Sequence, residues 1–343
     1  MRVIVTGGCG YIGAHTAVEL LQAGWEVVIA DNLSHSEKEV LDEIRHIAGI
    51  DPEFHLVDLA DPIASDAFFA HNGKADALIH FAAFLSVEES VREPLKYYQN
   101  NLFSLINVLR GMQAQHIPHL VFSSSCTVYG QPDVLPIRED APFKAPASPY
   151  GHTKQIAEEI LQKMAGMQGI SAISLRYFNP IGAHPSARIG ELPYGIPHHL
   201  VPYITQTAAG ERPFLRIFGG DYDTPDGTAV RDYIHVVDLA QAHLKAMERL
   251  QSPECKALEI YNIGVGRGYS VLEMVRAFEE ASGIRIPCKI VGRREGDVQK
   301  VWADTSLANE VLQWKAEKDL IEMMDTAWKW EQHLRETGWY DKK

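Results

Sequence analysis

Apolar residues in the first half of the chain fall into short, largely β-branched runs separated by stretches of helical periodicity. The run Arg2–Thr6 reads as a buried strand, passes into a turn carrying Gly7, Gly8, Gly10 and Gly13, and gives way to a helical pattern at about Tyr11. A second run, Glu26–Ala30, ends in Asp31. A polar helix around Lys38–His46, a strand near Phe54–Val57, a helix over Asp61–His71 and a strand at Ala77–Phe81 follow. A long helix from about Pro94 to Gln115 precedes a strand at His119–Ser124, a helix over Tyr150–Gln168 and a strand at Ser171–Tyr177. Strands that alternate with helices predict a parallel sheet, whose ligands bind beyond the carboxyl ends of the strands.

The alternation lapses at Phe178-Asn179-Pro180. Turn formers dominate from Ala183 to Gly227, broken by a helix near His198–Ala209 and a short strand near Leu215–Phe218. Ser270–Ser282 reads as a helix opened by the capping box Ser270-x-x-Glu273 and closed by Gly283. The expected fold class is α/β: a Rossmann-like, doubly wound parallel sheet with a smaller C-terminal α/β domain for substrate. The boundary falls at residues 1–180 against 181–343, with 231–264 returning to the first domain through Tyr233–Arg249 and Tyr261–Gly264.

A length of 343 residues accommodates both parts, and a formal charge of −13 without a long basic run argues against nucleic acid and an anionic membrane surface as partners. Cys9, Cys126, Cys255 and Cys288 have no C-x-x-C spacing, which suggests neither a zinc site nor a disulfide framework. A core strand opens the chain and no apolar segment approaches the roughly 20 residues of a membrane helix, so a cytoplasmic protein is expected.

The glycine turn carries the first chemistry. Gly8, Gly10 and Gly13 fit G-x-G-x-x-G, and Gly7, Gly10 and Gly13 fit G-x-x-G-x-x-G; either leaves a helix N-terminus open to a pyrophosphate. Asp31 stands about 20 residues beyond the central glycine, where a carboxylate accepts from ribose hydroxyls and repels a 2′-phosphate, which favours NAD over NADP. Asp58 and the small residues Ala82 and Ala83 also fall past strand ends; Asp58 is either an adenine contact or a turn acid. Tyr150 and Lys154, at i and i+4, share one helix face, so an ammonium lies beside a phenol. Such pairs are also common surface contacts. Ser125, 25 residues before Tyr150 and just past a strand, supplies a hydroxyl able to relay a proton. His198 and His199 point apart on a helix, and no metal site is expected.

At these residues the chain resembles the extended short-chain dehydrogenase/reductase family, and within it the members that invert C4 of UDP-hexoses. The likeness runs from TGGCGYIG through SSSCTVYG, SPYGHTK and LRYFNPIGAHP to VRDYIHV and RREGD. It implies Ser125, Tyr150 and Lys154 as catalytic residues. It implies that Gly7, Gly10, Tyr11, Ile12, Gly13, Asp31, Asn32, Asp58, Leu59, Phe81, Ala82, Ala83, Asn100, Ser123 and Tyr177, with Tyr150 and Lys154, line tightly held NAD. Asn179, His199, Phe218, Arg231, Arg294, Asp297 and Val301, with Ser125 and Tyr150, would hold a UDP-sugar. The implied activity interconverts UDP-glucose and UDP-galactose through a 4-keto sugar. A 4,6-dehydratase would carry an Asp-Glu pair where Cys126-Thr127 stands, and a non-catalytic NAD sensor would lose Tyr150 or Lys154. Three positions depart from the family pattern: Leu85 for a lysine near the nicotinamide ribose, His199 for an asparagine, and Val301 for a tyrosine. A small residue at 301 raises the alternative of N-acetylated UDP-hexoses as substrates. A homodimer through the helices at Pro94–Gln115 and Tyr150–Gln168 is also implied.

Overall fold

The computed structural model describes residues 1–166, 169–192, 197, 199–294 and 298–339. In chain order its elements are β1 (Arg2–Thr6), α1 (Tyr11–Gln22), β2 (Glu26–Asp31), α2 (Val40–Ala48), β3 (Glu53–Leu56), α3 (Pro62–Asn72), β4 (Ala77–His80), α4 (Val87–Arg92) and α5 (Pro94–Gln115). There follow β5 (His119–Ser125), a single 3₁₀ turn at Cys126–Tyr129, α6 (Pro149–Met164), β6 (Ser171–Tyr177), β7 (Asn179–Ile181), α7 (Leu200–Ala208), β8 (Leu215–Phe218) and β9 (Val230–His235). The chain continues through α8 (Val236–Leu250), β10 (Leu258–Ile263), β11 (Gly268–Ser270), α9 (Val271–Ser282), β12 (Cys288–Val291), β13 (Lys300–Val301), α10 (Ser306–Val311) and α11 (Leu320–Glu336).

Seven parallel strands form the main sheet in the order β10-β6-β5-β4-β1-β2-β3. Alternation along each strand explains its two faces. Val3, Val5, Val27 and Ile29 pack with Ala17 and Leu21 of α1, Ile44 of α2 and Met247 of α8. Ile4, Val28 and Ala30 pack on the other side with Phe68 of α3, Val108 and Met112 of α5 and Leu161 of α6. Strand order reverses beside β1, between β2 and β4, so the crevice predicted for a ligand opens beyond Thr6.

A second unit packs a four-stranded group, in which β9 pairs with β7, β11 and β13, and the parallel pair β8–β12 around its own core. Ile181, Ile204, Ile217, Tyr233, Phe278, Met323 and Met324 belong to that core. The segment 231–264 therefore divides. Helix α8 lies on α1 and β10 edges the main sheet, whereas β9, expected to return with them, is the spine of the second sheet. The helix at Ser270 has its capping box and a left-handed Gly283. Helix α6 ends at Met164, short of Gln168, which lies outside the described residues.

Candidate active site

The turn after β1 is shaped by backbone contact. Gly7 has φ +68°, and a Cβ there would stand 2.8 Å from the Ala82 nitrogen. A Cβ at Gly13 would come within 2.2 Å of the Gly7 carbonyl oxygen, so only glycine lets α1 close on the turn. Helix α1 begins at Tyr11 with no side-chain cap and no acid in its first turn, which leaves its first N–H groups to a ligand. Asp31, buried at the end of β2, accepts from the Cys9 N–H at 3.0 Å, the Leu33 N–H at 2.9 Å and the Ser36 hydroxyl at 3.0 Å. These donors fix the carboxylate at the end of the strand beside the glycines. Asn32 caps a turn by accepting from the Ser34 N–H. Asp58 likewise accepts from the Ala60 N–H, and the carbonyl of buried Leu59 accepts from Asn107. Ile12 packs on the sheet core from the same first turn of α1. The cradle fits a dinucleotide: backbone donors for its phosphates and a fixed carboxylate for a ribose.

Further along the same edge, β5 ends in Ser123, Ser124 and Ser125, and α6 starts at Pro149, which sets Tyr150 in its first turn. The Thr127 N–H donates to the Ser125 Oγ at 3.2 Å. Burial pushes the Tyr150 phenol up to about 12, opposed by the neighbouring Ser125 side chain. Lys154 Nζ lies 5.9 Å from the centre of the Tyr150 ring and donates to the Ser123 carbonyl at 2.5 Å. Burial lowers its ammonium to about 8, opposed by Glu158. Ser125, Tyr150 and Lys154 thus converge on one point, a phenol with a hydroxyl donor and a cation beside it.

The flanking residues are also brought to this edge. Tyr177 bonds His243, and burial raises its phenol far above the ordinary value against the opposing effect of Ser123. Phe81 packs on the His243 ring at 4.8 Å. Asn100 donates to Asn101, which bonds both backbone groups of Phe84. The Tyr11 hydroxyl donates to the Gly182 carbonyl at 2.6 Å, joining the cradle to the second unit. Asn179 opens β7, and Ala82 and Ala83 follow β4.

In the second unit Phe218 is 36% exposed at the end of β8, with the Arg216 guanidinium carbon 5.7 Å from the centre of its ring. Arg231 on β9 donates to the Val230 carbonyl at 2.9 Å, and Arg294 pairs with Glu88 across the two units at 3.1 Å. His199 pairs with Glu191, whose carboxylate raises the imidazole's pKa. Asp297 lies outside the described residues. Val301 is 7% exposed on β13 and packs with Val128, Tyr129, Ile137, Phe178 and Ala303, a cluster that Cys126 and Phe178 carry up to Ser125 and Asn179. Leu85 is exposed.

Sequence reasoning missed the groups beneath the triad. Glu158 accepts from the Ser124 and Ser174 hydroxyls and pairs with Arg176 at 2.6 Å, both side chains 3% exposed. Arg176 also donates to Tyr129 Oη at 2.7 Å and to the Glu139 carbonyl at 2.9 Å. The available signal was spacing: Glu158 stands one turn beyond Lys154 on the same face. His80, buried against Thr6 at 2.8 Å, is brought to about 3 by burial and by Lys154.

Comparison with known proteins agrees with this geometry. Residues 3–264 match the model of the NAD dependent epimerase/dehydratase family. The chain belongs to that family. A UDP-glucose 4-epimerase of Dictyostelium discoideum is 50% identical over 341 residues, covering 99% of this chain and 98% of that one. One from Bacillus subtilis is 48% identical over 332 residues, covering 96% and 97%. Among solved structures, the UDP-glucose-4-epimerase of Stenotrophomonas maltophila with bound NAD and formylated UDP-arabinopyranose superposes with a TM-score of 0.95 at 46% identity, covering 98% and 99%. That of Bifidobacterium longum with NAD⁺ and UDP gives 0.92 at 42%, covering 97% and 98%. Family members of this likeness share the seven-stranded Rossmann-like sheet and the smaller second unit described above.

Proposed function

We propose that this chain is a UDP-sugar 4-epimerase that interconverts UDP-glucose and UDP-galactose through a 4-keto sugar, with NAD held in the cradle of Gly7, Gly10, Gly13 and Asp31. The observation that carries the reading is the convergence of Ser125, Tyr150 and Lys154 at the mouth of that cradle, together with near-full-length relatives of one activity. Neither a dehydratase nor an acetyl-sugar specialist is favoured by those relatives.

Bound NAD supplies a reversible two-electron acceptor for C4 of the sugar and a positive ring that favours the phenolate. The chain's own part is proton transfer and positioning. The Thr127 N–H occupies one lone pair of the Ser125 Oγ and leaves its proton free to be donated toward the neighbouring Tyr150 oxygen. Ser125 then relays the C4 hydroxyl proton to Tyr150, whose phenolate form Lys154 stabilises through space. Lys154 is held by a neutral carbonyl rather than a carboxylate, so its charge stays available to the phenol. After the 4-keto sugar has turned, return of the proton from Tyr150 to the oxygen, together with the hydride that C4 would regain from the reduced cofactor, gives the inverted alcohol and restores the site. Turning requires a firm hold on the nucleotide and a loose one on the hexose. Arg231 and Arg294 suit the diphosphate, exposed Phe218 suits the uracil ring, and Asn179, His199 and Val301 border the sugar.

The N-terminal unit, residues 1–180 with α8 and β10, is the cofactor domain on this reading, and the remainder of 181–343 binds the sugar nucleotide. The exposed Leu85, Val87, Val91, Leu95, Phe103 and Ile106 cluster in the sequence around α4 and α5, which supports a homodimer through that face. No helix among the described residues is long and apolar enough to cross a membrane.

The test is incubation of purified protein with UDP-galactose and no added NAD. UDP-glucose is the expected product; a 4-keto-6-deoxy sugar, or none, overturns the reading. Tyr150→Phe should keep the bound cofactor and lose about 10²- to 10⁴-fold in kcat.

A further inference from the structure

Strand β3 is the outer edge of the main sheet, and Glu53 and His55, two residues apart on it, project from one face. The last turn of α3 brings His71 to the same place, and one donor atom from each of the three residues falls within 4.8 Å of the others. The group sits away from the cradle. Glu53 is opposite Val28, three residues before Asp31, and beside Arg2, which opens β1.

The polar contacts at His55 contain a conflict. Its Nε2 lies 2.6 Å from the Glu53 Oε1, a contact that demands a proton on the nitrogen. The same Nε2 lies 3.4 Å from the Asn72 Nδ2, a donor that demands a lone pair. The orientation of that amide is fixed from both ends, because Arg2 donates to the Asn72 Oδ1 at 3.0 Å and the Asn72 Nδ2 donates to the Phe68 carbonyl at 3.2 Å. One ring nitrogen cannot serve both neighbours.

We propose that Glu53, His55 and His71 form a binding site for a divalent first-row transition-metal ion, of which zinc is the type. A cation between Nε2 and Oε1 takes the ring lone pair and satisfies the carboxylate without a proton, while the Asn72 amide keeps its donation to the Phe68 carbonyl. The donor set is one carboxylate oxygen and two imidazole nitrogens, which zinc binds at roughly 2.0–2.2 Å. A tetrahedral ion then needs donors roughly 3.3 Å apart, within reach of side-chain rotation from their present spread. The fourth position opens to solvent on the side of exposed His71.

The surroundings already restrain two of the three ligands. Arg2 donates to the Glu53 Oε2 at 2.8 Å, which turns the other oxygen toward His55, and Glu26 pairs with the same guanidinium and offsets its charge. The His55 ring is held edge-on by Phe68 at 5.3 Å and lies 5.6 Å from the His71 ring. Supporting contacts of this kind commonly account for ten- to a hundredfold in metal affinity. An ion here would clip the edge strand to the end of α3, a structural role independent of the sugar chemistry.

The experiment uses the full-length protein, stripped with chelator and desalted. Zinc chloride is titrated by calorimetry, and cobalt(II) is followed by its ligand-field absorption. One equivalent should bind the wild type and raise its melting temperature. His71→Ala, at an exposed position, should keep the far-ultraviolet circular dichroism, weaken zinc at least about tenfold and abolish the melting shift. Glu53→Gln should weaken binding likewise. His46→Ala, an exposed imidazole on α2, should leave the equivalent intact. Binding by His71→Ala and Glu53→Gln that equals the wild type, or no binding by the wild type, overturns the proposal.

Discussion

Replacing Arg176 with methionine tests the buried network beneath the candidate site. The substitution keeps an apolar stem of similar length between the rings of Tyr129 and Phe143, whose centres lie 4.8 and 5.3 Å from the guanidinium carbon. It removes the guanidinium paired with Glu158 at 2.6 Å, where both side chains are 3% exposed. Glu158 is left as a buried carboxylate without its guanidinium partner, accepting from the Ser124 and Ser174 hydroxyls. Breaking a buried pair from one side costs about 3–5 kcal/mol, a large part of the roughly 5–15 kcal/mol by which native proteins are stable. Equilibrium urea unfolding at pH 7.5, read at its first transition, should register that loss. Arg176→Met with Glu158→Gln should recover more than half of it, because the charge left stranded is then gone. A single-variant loss under about 1 kcal/mol, or a double variant no better than the single, refutes the reasoning.

Three further outcomes follow from the same structure. Buried His15 and His80 are lowered to about 3, and His235 and His243 to about 4, in each case chiefly by burial. Since the unfolded imidazole titrates near 6.5, their contribution to stability is whole above that pH and is lost as pH falls toward 4. It amounts to about 5 kcal/mol by pH 5.5, so a urea midpoint equal at pH 7 and 5.5 contradicts it. Asp31 at the ribose end of the cradle should make the protein retain NAD through purification and exclude NADP; NADP released on denaturation counts against this. In Val301→Tyr the added ring overfills the cluster of Val128, Tyr129, Ile137 and Phe178, and on the proposed placement of the substrate it intrudes on the sugar's space. The ratio of kcat/KM for UDP-N-acetylgalactosamine to that for UDP-galactose should fall at least about tenfold, and an unchanged ratio removes Val301 from the sugar's border.

The elements legible in the sequence are those whose signals are local. The five residues of β1, the Pro94 start of α5, the span of β6 and the Ser270 capping box carry their own periodicity or caps, and their bounds agree with the structure. The two residues of β13 and three of β7 are strands only because β9 pairs with them, and β9, which the sequence pattern returns to the first domain along with α8 and β10, pairs with these distant segments instead. A six-residue helix such as α4 is too short to show a period. The glycine turn, Asp31 and the Tyr150–Lys154 face were readable because their chemistry is spaced along one element. The contacts of Tyr177 with His243, 66 residues on, and of His55 with His71 depend on which helices flank which strands, and no local pattern encodes that.

The buried pair also bears on how Lys154 acts. Glu158 lies one turn beyond Lys154 on α6, close enough that its carboxylate raises the lysine's pKa. Unpaired, it would draw the ammonium down toward the sheet and away from Tyr150. Arg176 takes both carboxylate oxygens, through Nε at 3.0 Å and Nη2 at 2.6 Å, and so neutralises the nearest competitor for the lysine. Lys154 donates instead to the Ser123 carbonyl, a neutral acceptor that orients it without spending its charge. The polar floor built from β5, β6 and α6 therefore serves more than cohesion. It keeps a positive charge beside a phenol whose pKa burial raises to about 12 against the opposing effect of Ser125, and a cation there favours the phenolate that the proposed proton abstraction needs.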